Sequence, residues 1–228
     1  MSTDSDVVVC GFLDLQNRLS ETFQFVSCHE ENFKTYSVRF CGLLLEAGSF
    51  FDSLAQTYIR SRHSSGQPFI SDAKIPDLAK KLAGKANFTA ADYRTLFEEE
   101  PSLRFSTRRV ALNVYDNRFF PDLNASAAAA ANGTAPYYIC PFCAWGSGES
   151  PAWWKAFTKL KHDRTQFLGE ASLENLLNAC GAVLIMLVFA HEKFARSFAS
   201  GDLFRVFSPE FLRPLASRAM LSRSLGFT

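Results

Sequence analysis

The run Ala179–Ala190, ACGAVLIMLVFA, holds 12 consecutive residues with no charged side chain. Crossing a bilayer takes roughly 20 apolar residues, so a run of this length reads as a buried core helix. Leu173, Leu176, Leu177, Cys180, Val183, Leu184, Leu187 and Val188 recur at helical spacing. The pattern predicts a long helix from Ala171 to about Phe198, with Gly169 as the break before it.

A second long helix is predicted over Tyr36 to Arg60, where Phe40, Leu43, Leu44, Ala47, Phe50, Phe51, Leu54 and Tyr58 share one face. RSRHSSGQP should end it near Ser61. Phe12, Leu15, Leu19, Phe23 and Val26 predict an amphipathic helix over Phe12–Phe25, with the preceding VVVC open to being a short strand. Short helices are expected at Ile75–Leu82 and Ala90–Glu98, the latter capped by Thr89 with Asp92 in its first turn. Val110, Leu112 and Val114 alternate, which predicts a short strand and turn within 109–120. Asp122–Thr134 is alanine-rich and ends in Asn-Gly, a loop or a helical turn. In YYICPFCAW, Pro141 excludes a central strand. The tail 201–228, with Pro209 and Pro214, is expected to pack on the bundle as an extension. The fold class expected is mainly α: a bundle of two long helices with short helices and a small β-containing insertion at 109–145, in a single domain 1–228.

That reading agrees with 228 residues, 47% hydrophobic, 23 Phe and 21% charged, enough to bury a large aromatic core. A formal charge of +1 supplies no long-range field toward nucleic acid or an anionic membrane, so any RNA contact must come from a local patch. MSTDSD lacks the basic and apolar regions of a secretory signal, and six cysteines at irregular spacing read as reduced thiols. A cytoplasmic location without membrane association is expected.

Most of the chemistry gathers after Ser150, a plausible cap with Pro151 in the first turn. Trp153, Trp154, Phe157 and Leu160 form an apolar face, while Lys155, Lys159 and His162 share another. His162 with Lys159, Lys161 and Arg164 reads either as a phosphate or RNA site or as solvated charge at a helix C-terminus. The two tryptophans read as core more readily than as base-stacking platforms.

The segment SPAWWKAFTKLKHDRTQFLGEASLENLLNACGAVLIMLVFAHE resembles one found in uncharacterised bacterial proteins of the HEPN superfamily, where a Trp-Trp helix carrying a Lys-His pair precedes a leucine-rich helix. The resemblance implies a small helical bundle, commonly a homodimer. Many HEPN domains are metal-independent ribonucleases with an Arg-x4-6-His motif; others bind RNA or nucleotide, or pair with a partner protein. Carried over, the family histidine falls on His162, the polar position on Thr158 and the arginine position on Phe157. In such a nuclease His162 would be acid or base toward the ribose 2'-hydroxyl or leaving oxygen, with positive charge holding the phosphate. Phe157 cannot supply that charge, which leaves Lys159 and Arg164 as catalytic candidates and Lys155, Thr158 and Lys161 as ligand-binding candidates.

Two function classes follow. One is an RNA- or nucleotide-associated protein of bacterial stress, toxin-antitoxin or phage-defence systems, a metal-independent ribonuclease if it is an enzyme. The other is a noncatalytic module that recruits a protein partner. Cys140-Pro-Phe-Cys143 has the spacing of half a zinc site or a redox pair, against a reading as buried thiols; only Cys28-His29 could complete a zinc site. His29, His63 and His191 read as surface or satisfied histidines. Arg60, Arg62 and His63 make a basic helix end, Arg108 and Arg109 a basic pair, and Glu98–Glu100 a solvated helix end. No phosphate-cradling glycine loop, GxSxG, HExxH or paired-carboxylate motif occurs, and no cofactor or metal is expected.

Overall fold

A computed structural model describes residues 3–112, 138–190 and 206–209. The described protein is mainly helical: α1 Thr3–Thr22, α2 Val38–Ser64, α3 Leu78–Leu82, α4 Ala90–Glu99, α5 Cys143–Gly146, α6 Ala152–His162 and α7 Leu173–Ala190. Strands β1 Val110–Leu112, β2 Tyr138–Ile139 and β3 Phe207–Pro209 form an antiparallel sheet in the order β2-β1-β3. Val110 pairs with both Ile139 and Pro209.

α7 occupies the centre. Gly181 to Val188 are buried without interruption, so this part of the helix shows no solvent face. Its length and mean hydropathy of 1.9 would also suit a membrane span. Here α1, α2, α6, β2 and β3 cover it instead. Its first turn is closed by the chain ahead of α2. The Leu173 and Glu174 N–H groups donate to the carbonyls of Thr35 and Phe33, and the Ser172 hydroxyl accepts from Asn175 N–H at 3.2 Å. Donors that a helix start leaves open are thereby satisfied.

α2 begins where the Ser37 hydroxyl accepts from Phe40 N–H at 3.0 Å. Its Phe51 ring meets Tyr93, Phe142, Trp153 and Trp154 at centroid distances of 5.4–5.9 Å. Phe105, Phe97 and Trp145 extend this aromatic core toward the sheet.

The structure moves several expected boundaries. α1 starts far ahead of Phe12, so VVVC is helix and not strand; with Val8 and Val9 half-buried against the core, the i, i+3 and i+4 pattern continues upstream through Gly11. α2 runs past Ser61 to Ser64 because the Ser64 and Ser65 hydroxyls bond the carbonyls of Arg60 and Ser61, closing the last turn. The cap of α6 is Pro151 and not Ser150: the Pro151 carbonyl accepts from the N–H groups of Trp154 and Lys155. Glu98–Glu100 is not simply solvated. Glu98 accepts from the Ser106 N–H and hydroxyl, Glu99 pairs with Lys74, and Glu100 lies 3.8 Å from Arg62. Residues 113–137, 191–205 and 210–228, including the alanine-rich run, His191, the helix beyond Ala190 and most of the tail, lie outside the described residues.

α4 carries the expected Thr89 cap as a full capping box with Asp92. Asp92 is buried and receives the Lys81 ammonium at 2.6 Å. Burial alone would raise its carboxyl, but the Lys81 ammonium and the Thr89 N–H and hydroxyl outweigh that and hold it below the usual range. A carboxyl depressed by folding contributes stability above its unfolded value of about 4 and loses it as pH falls through the lower folded value. Stability should therefore drop on acidification below about pH 4. Lys81→Met should cost about 3–5 kcal/mol at neutral pH by stranding the Asp92 charge. Urea unfolding of both proteins measures this; equal midpoints would refute it.

Candidate functional site

The residues of α6 divide among three surroundings. Trp153, Ala156, Phe157 and Leu160 are buried, with Trp153 only 1% exposed and its indole N–H donating to the Pro141 carbonyl at 2.8 Å. Lys155, Lys159 and His162 share the exposed face, as three- and four-residue spacing requires. Lys161 follows Lys159 by two residues, roughly 200° around the helix, and so faces α2.

On the exposed face the charges are mostly spoken for. Lys155 lies 3.7 Å from Glu149, and Lys159 pairs with Glu170 while its ammonium sits 5.7 Å from the Phe167 ring. The Thr158 hydroxyl donates to the Trp154 carbonyl at 2.9 Å, one turn back on its own helix. His162 and Arg164 are exposed where the helix ends. Asp163 turns the chain there, its carboxylate accepting from the N–H groups of Thr165 and Gln166.

Phe157, at the position where the resemblance places arginine, lies in the helix interface and is 5% exposed. It packs on Gly48 of α2 so closely that a methyl group there would stand 2.4 Å from its ring. Glycine at 48 and an aromatic at 157 are therefore one packing device, bringing α2 and α6 together. A guanidinium in that place would have to displace the ring from Gly48 and enter the helix interface.

Beside Phe157 the two helices leave an open groove of about 240 Å³, lined by Ser49, Asp52, Ser53, Gln56, Thr57 and Arg60 of α2 and Lys161 of α6. Of its α2 wall, sequence reasoning singled out only Arg60, as part of a basic helix end. The signal was present: Asp52, Gln56 and Arg60 stand four residues apart, a polar stripe beside a strongly apolar face. Asp52 accepts from the fully buried Tyr93 hydroxyl and from Gln56 Nε2 at 3.0 Å, and Gln56 Oε1 accepts from Arg60 at 2.9 Å. Burial, and then the Asp52 carboxylate, push the Tyr93 hydroxyl far up, so it remains a donor. Lys161 stands 5.8 Å from the Phe157 ring centre. The groove thus carries a cation on each wall, Arg60 and Lys161, with the Asp52 carboxylate, an amide and hydroxyls between them, a lining that offers both charges to a polar ligand.

The basic helix end expected at Arg60–His63 is dispersed. Arg62 lies over the Phe69 ring and near Glu100, and His63 Nε2 is 3.2 Å from Asp72. His29 is half-buried and accepts from Glu31 N–H at 3.4 Å. Among the described residues no cluster of three or more His, Cys, Asp or Glu could hold a metal. Cys28 is a thiol pushed up to about 12 by burial.

No family model, curated protein or solved structure matches the chain. The chemistry therefore rests on the geometry above. Two substitutions probe it. Gly48→Ala should lose about 1–3 kcal/mol by overpacking against Phe157. Tyr93→Phe should lose about 1–3 kcal/mol by leaving Asp52 one donor short. Both are read from urea midpoints, and an unchanged midpoint in either variant would remove the contact it tests.

Proposed function

We propose that this chain is a HEPN-like helical module that associates with RNA or a nucleotide through its phosphates and does not cleave it. The observation that carries this reading is Phe157: the place where a nuclease of this type would hold a phosphate-binding arginine is packed against Gly48. The remaining charges support contact rather than catalysis. Lys159 is joined to Glu170, and Lys161 faces the α2 groove while His162 lies on the other flank of α6, which supports contact by separate cations rather than a joint acid–base site. Lys161, Arg164 and Arg60 remain to meet phosphate oxygens. Homodimerisation, and a role in stress, toxin-antitoxin or phage-defence systems, belong to the same proposal and rest on the resemblance of Ser150–Glu192.

The rival reading, a module that recruits a protein partner, draws on large apolar side chains left exposed at Phe25, Tyr36, Val38 and Ile70. RNA incubated with the purified protein in chelator separates the possibilities. The expected outcome is binding at low salt without cleavage, unchanged in His162→Ala. Lys161→Ala should flatten the dependence of log affinity on log salt by about 0.7, one phosphate contact to a single strand. Metal-independent cleavage abolished by His162→Ala would overturn the proposal in favour of a ribonuclease. Lack of any RNA or nucleotide binding at low salt would leave the partner module.

A further inference from the structure

The Cys140-Pro141-Phe142-Cys143 turn is held more rigidly than a surface loop requires. The Cys143 N–H donates to the Cys140 carbonyl at 3.2 Å, closing a four-residue turn. Such a turn brings its first and last Cα atoms within about 7 Å, and a disulfide spans about 4.4–6.8 Å. Three contacts fix the turn on the core. The Pro141 carbonyl accepts the Trp153 indole N–H at 2.8 Å, and Phe142 is fully buried against Trp145, Phe105, Phe51 and Trp153. Pro141 and Ile139 lie against Gly181 of α7, where a methyl group would stand 3.0 and 2.9 Å from them.

The two thiols are placed unequally. Cys143 is exposed, contrary to the expectation of two buried thiols, because it opens the short α5 on the solvent side of the turn. Cys140 is half-buried, within hydrogen-bonding reach of Cys143, with its Sγ 3.3 Å from the Ser106 carbonyl and 3.6 Å from that of Arg108. Both line an open cavity of about 460 Å³ between the turn, α6 and the start of α7, so a small thiol reagent can reach them.

We propose that Cys140 and Cys143 form a reversible dithiol/disulfide site that exchanges with low-molecular-weight disulfides of the glutathione type. The Cys143 thiolate attacks one sulfur of the disulfide, forming a mixed disulfide and releasing one glutathione thiolate, which takes up a proton. Cys140 gives its proton to solvent and its thiolate attacks the Cys143 sulfur, expelling the second glutathione thiolate. The pair is oxidised by two electrons and one glutathione disulfide is reduced to two thiols. Burial, and next the neighbouring Cys143, push the Cys140 thiol up to about 11, so only a small fraction of it is thiolate at neutral pH.

The test is peptide mapping by mass spectrometry of the full chain equilibrated with reduced and oxidised glutathione at several ratios. The expected product is a Cys140–Cys143 disulfide, two hydrogens lighter than the dithiol and reopened by excess reduced glutathione. Cys140→Ser should instead stop at a glutathione adduct on Cys143. Exposed Cys10 reports ordinary surface reactivity in the same sample. A wild-type chain that keeps the Cys143 adduct without closing, or leaves Cys143 unmodified while Cys10 reacts, would overturn the proposal. Because the wild-type chain itself carries the decisive measurement, a poorly folding variant does not affect the outcome.

Discussion

A helix buried on every side can be stable only if the chain surrounds it, and α7 imposes that requirement on everything else. Each large apolar side chain taken out of water there contributes about 1.5–3 kcal/mol, so Gly181–Val188 alone outweigh most single polar contacts in the protein. α2 supplies the longest wall, α1 and α6 the flanks, and the small sheet closes one end. Two glycines set how near these walls come. Gly48 admits the Phe157 ring between α2 and α6, and Gly181 admits Ile139 and Pro141 onto α7. Helices in a close-packed interior cannot take up an added methyl group without moving a neighbour.

The polar chemistry is what this packing leaves over. Seating Phe157 against Gly48 opens a groove on one side of α6 and turns Lys161 into it, while Lys155, Lys159 and His162 face solvent on the other. A cluster that looks single along the sequence is thus split by the helix it lies on. Carboxylates arriving from outside α6 decide the rest: Glu149 and Glu170 engage two of the three α6 lysines and leave Lys161 to the groove. The Cys140–Cys143 turn has the same origin. Its rigidity comes from Trp153 and Gly181, residues distant in sequence that hold the peptide between the cysteines.

Local signals were legible wherever one segment carries its own reason for a structure. Thr89 with Asp92 marks the start of α4, and the apolar spacing from Phe40 to Tyr58 marks the body of α2. Boundaries failed where the deciding partner is elsewhere or the terminal turn is irregular. Val7–Cys10 reads as strand-like in isolation and is helical because Phe12, Leu15 and Leu19 anchor the same helix in the core. Apart from Arg60, the α2 wall of the groove went unseen because Asp52 gains meaning only from Tyr93, 41 residues away.

The sequence by itself determined that this is a mainly helical chain organised on one very apolar helix, because hydrophobic periodicity and charge-free length are properties of a segment alone. It also determined which side chains share a face of α6, since helical geometry fixes that spacing. Only the tertiary structure decided what those faces meet. Whether a lysine is paired, a cysteine reachable or an aromatic wedged against glycine depends on groups brought in from distant parts of the chain, and no local pattern encodes their distance.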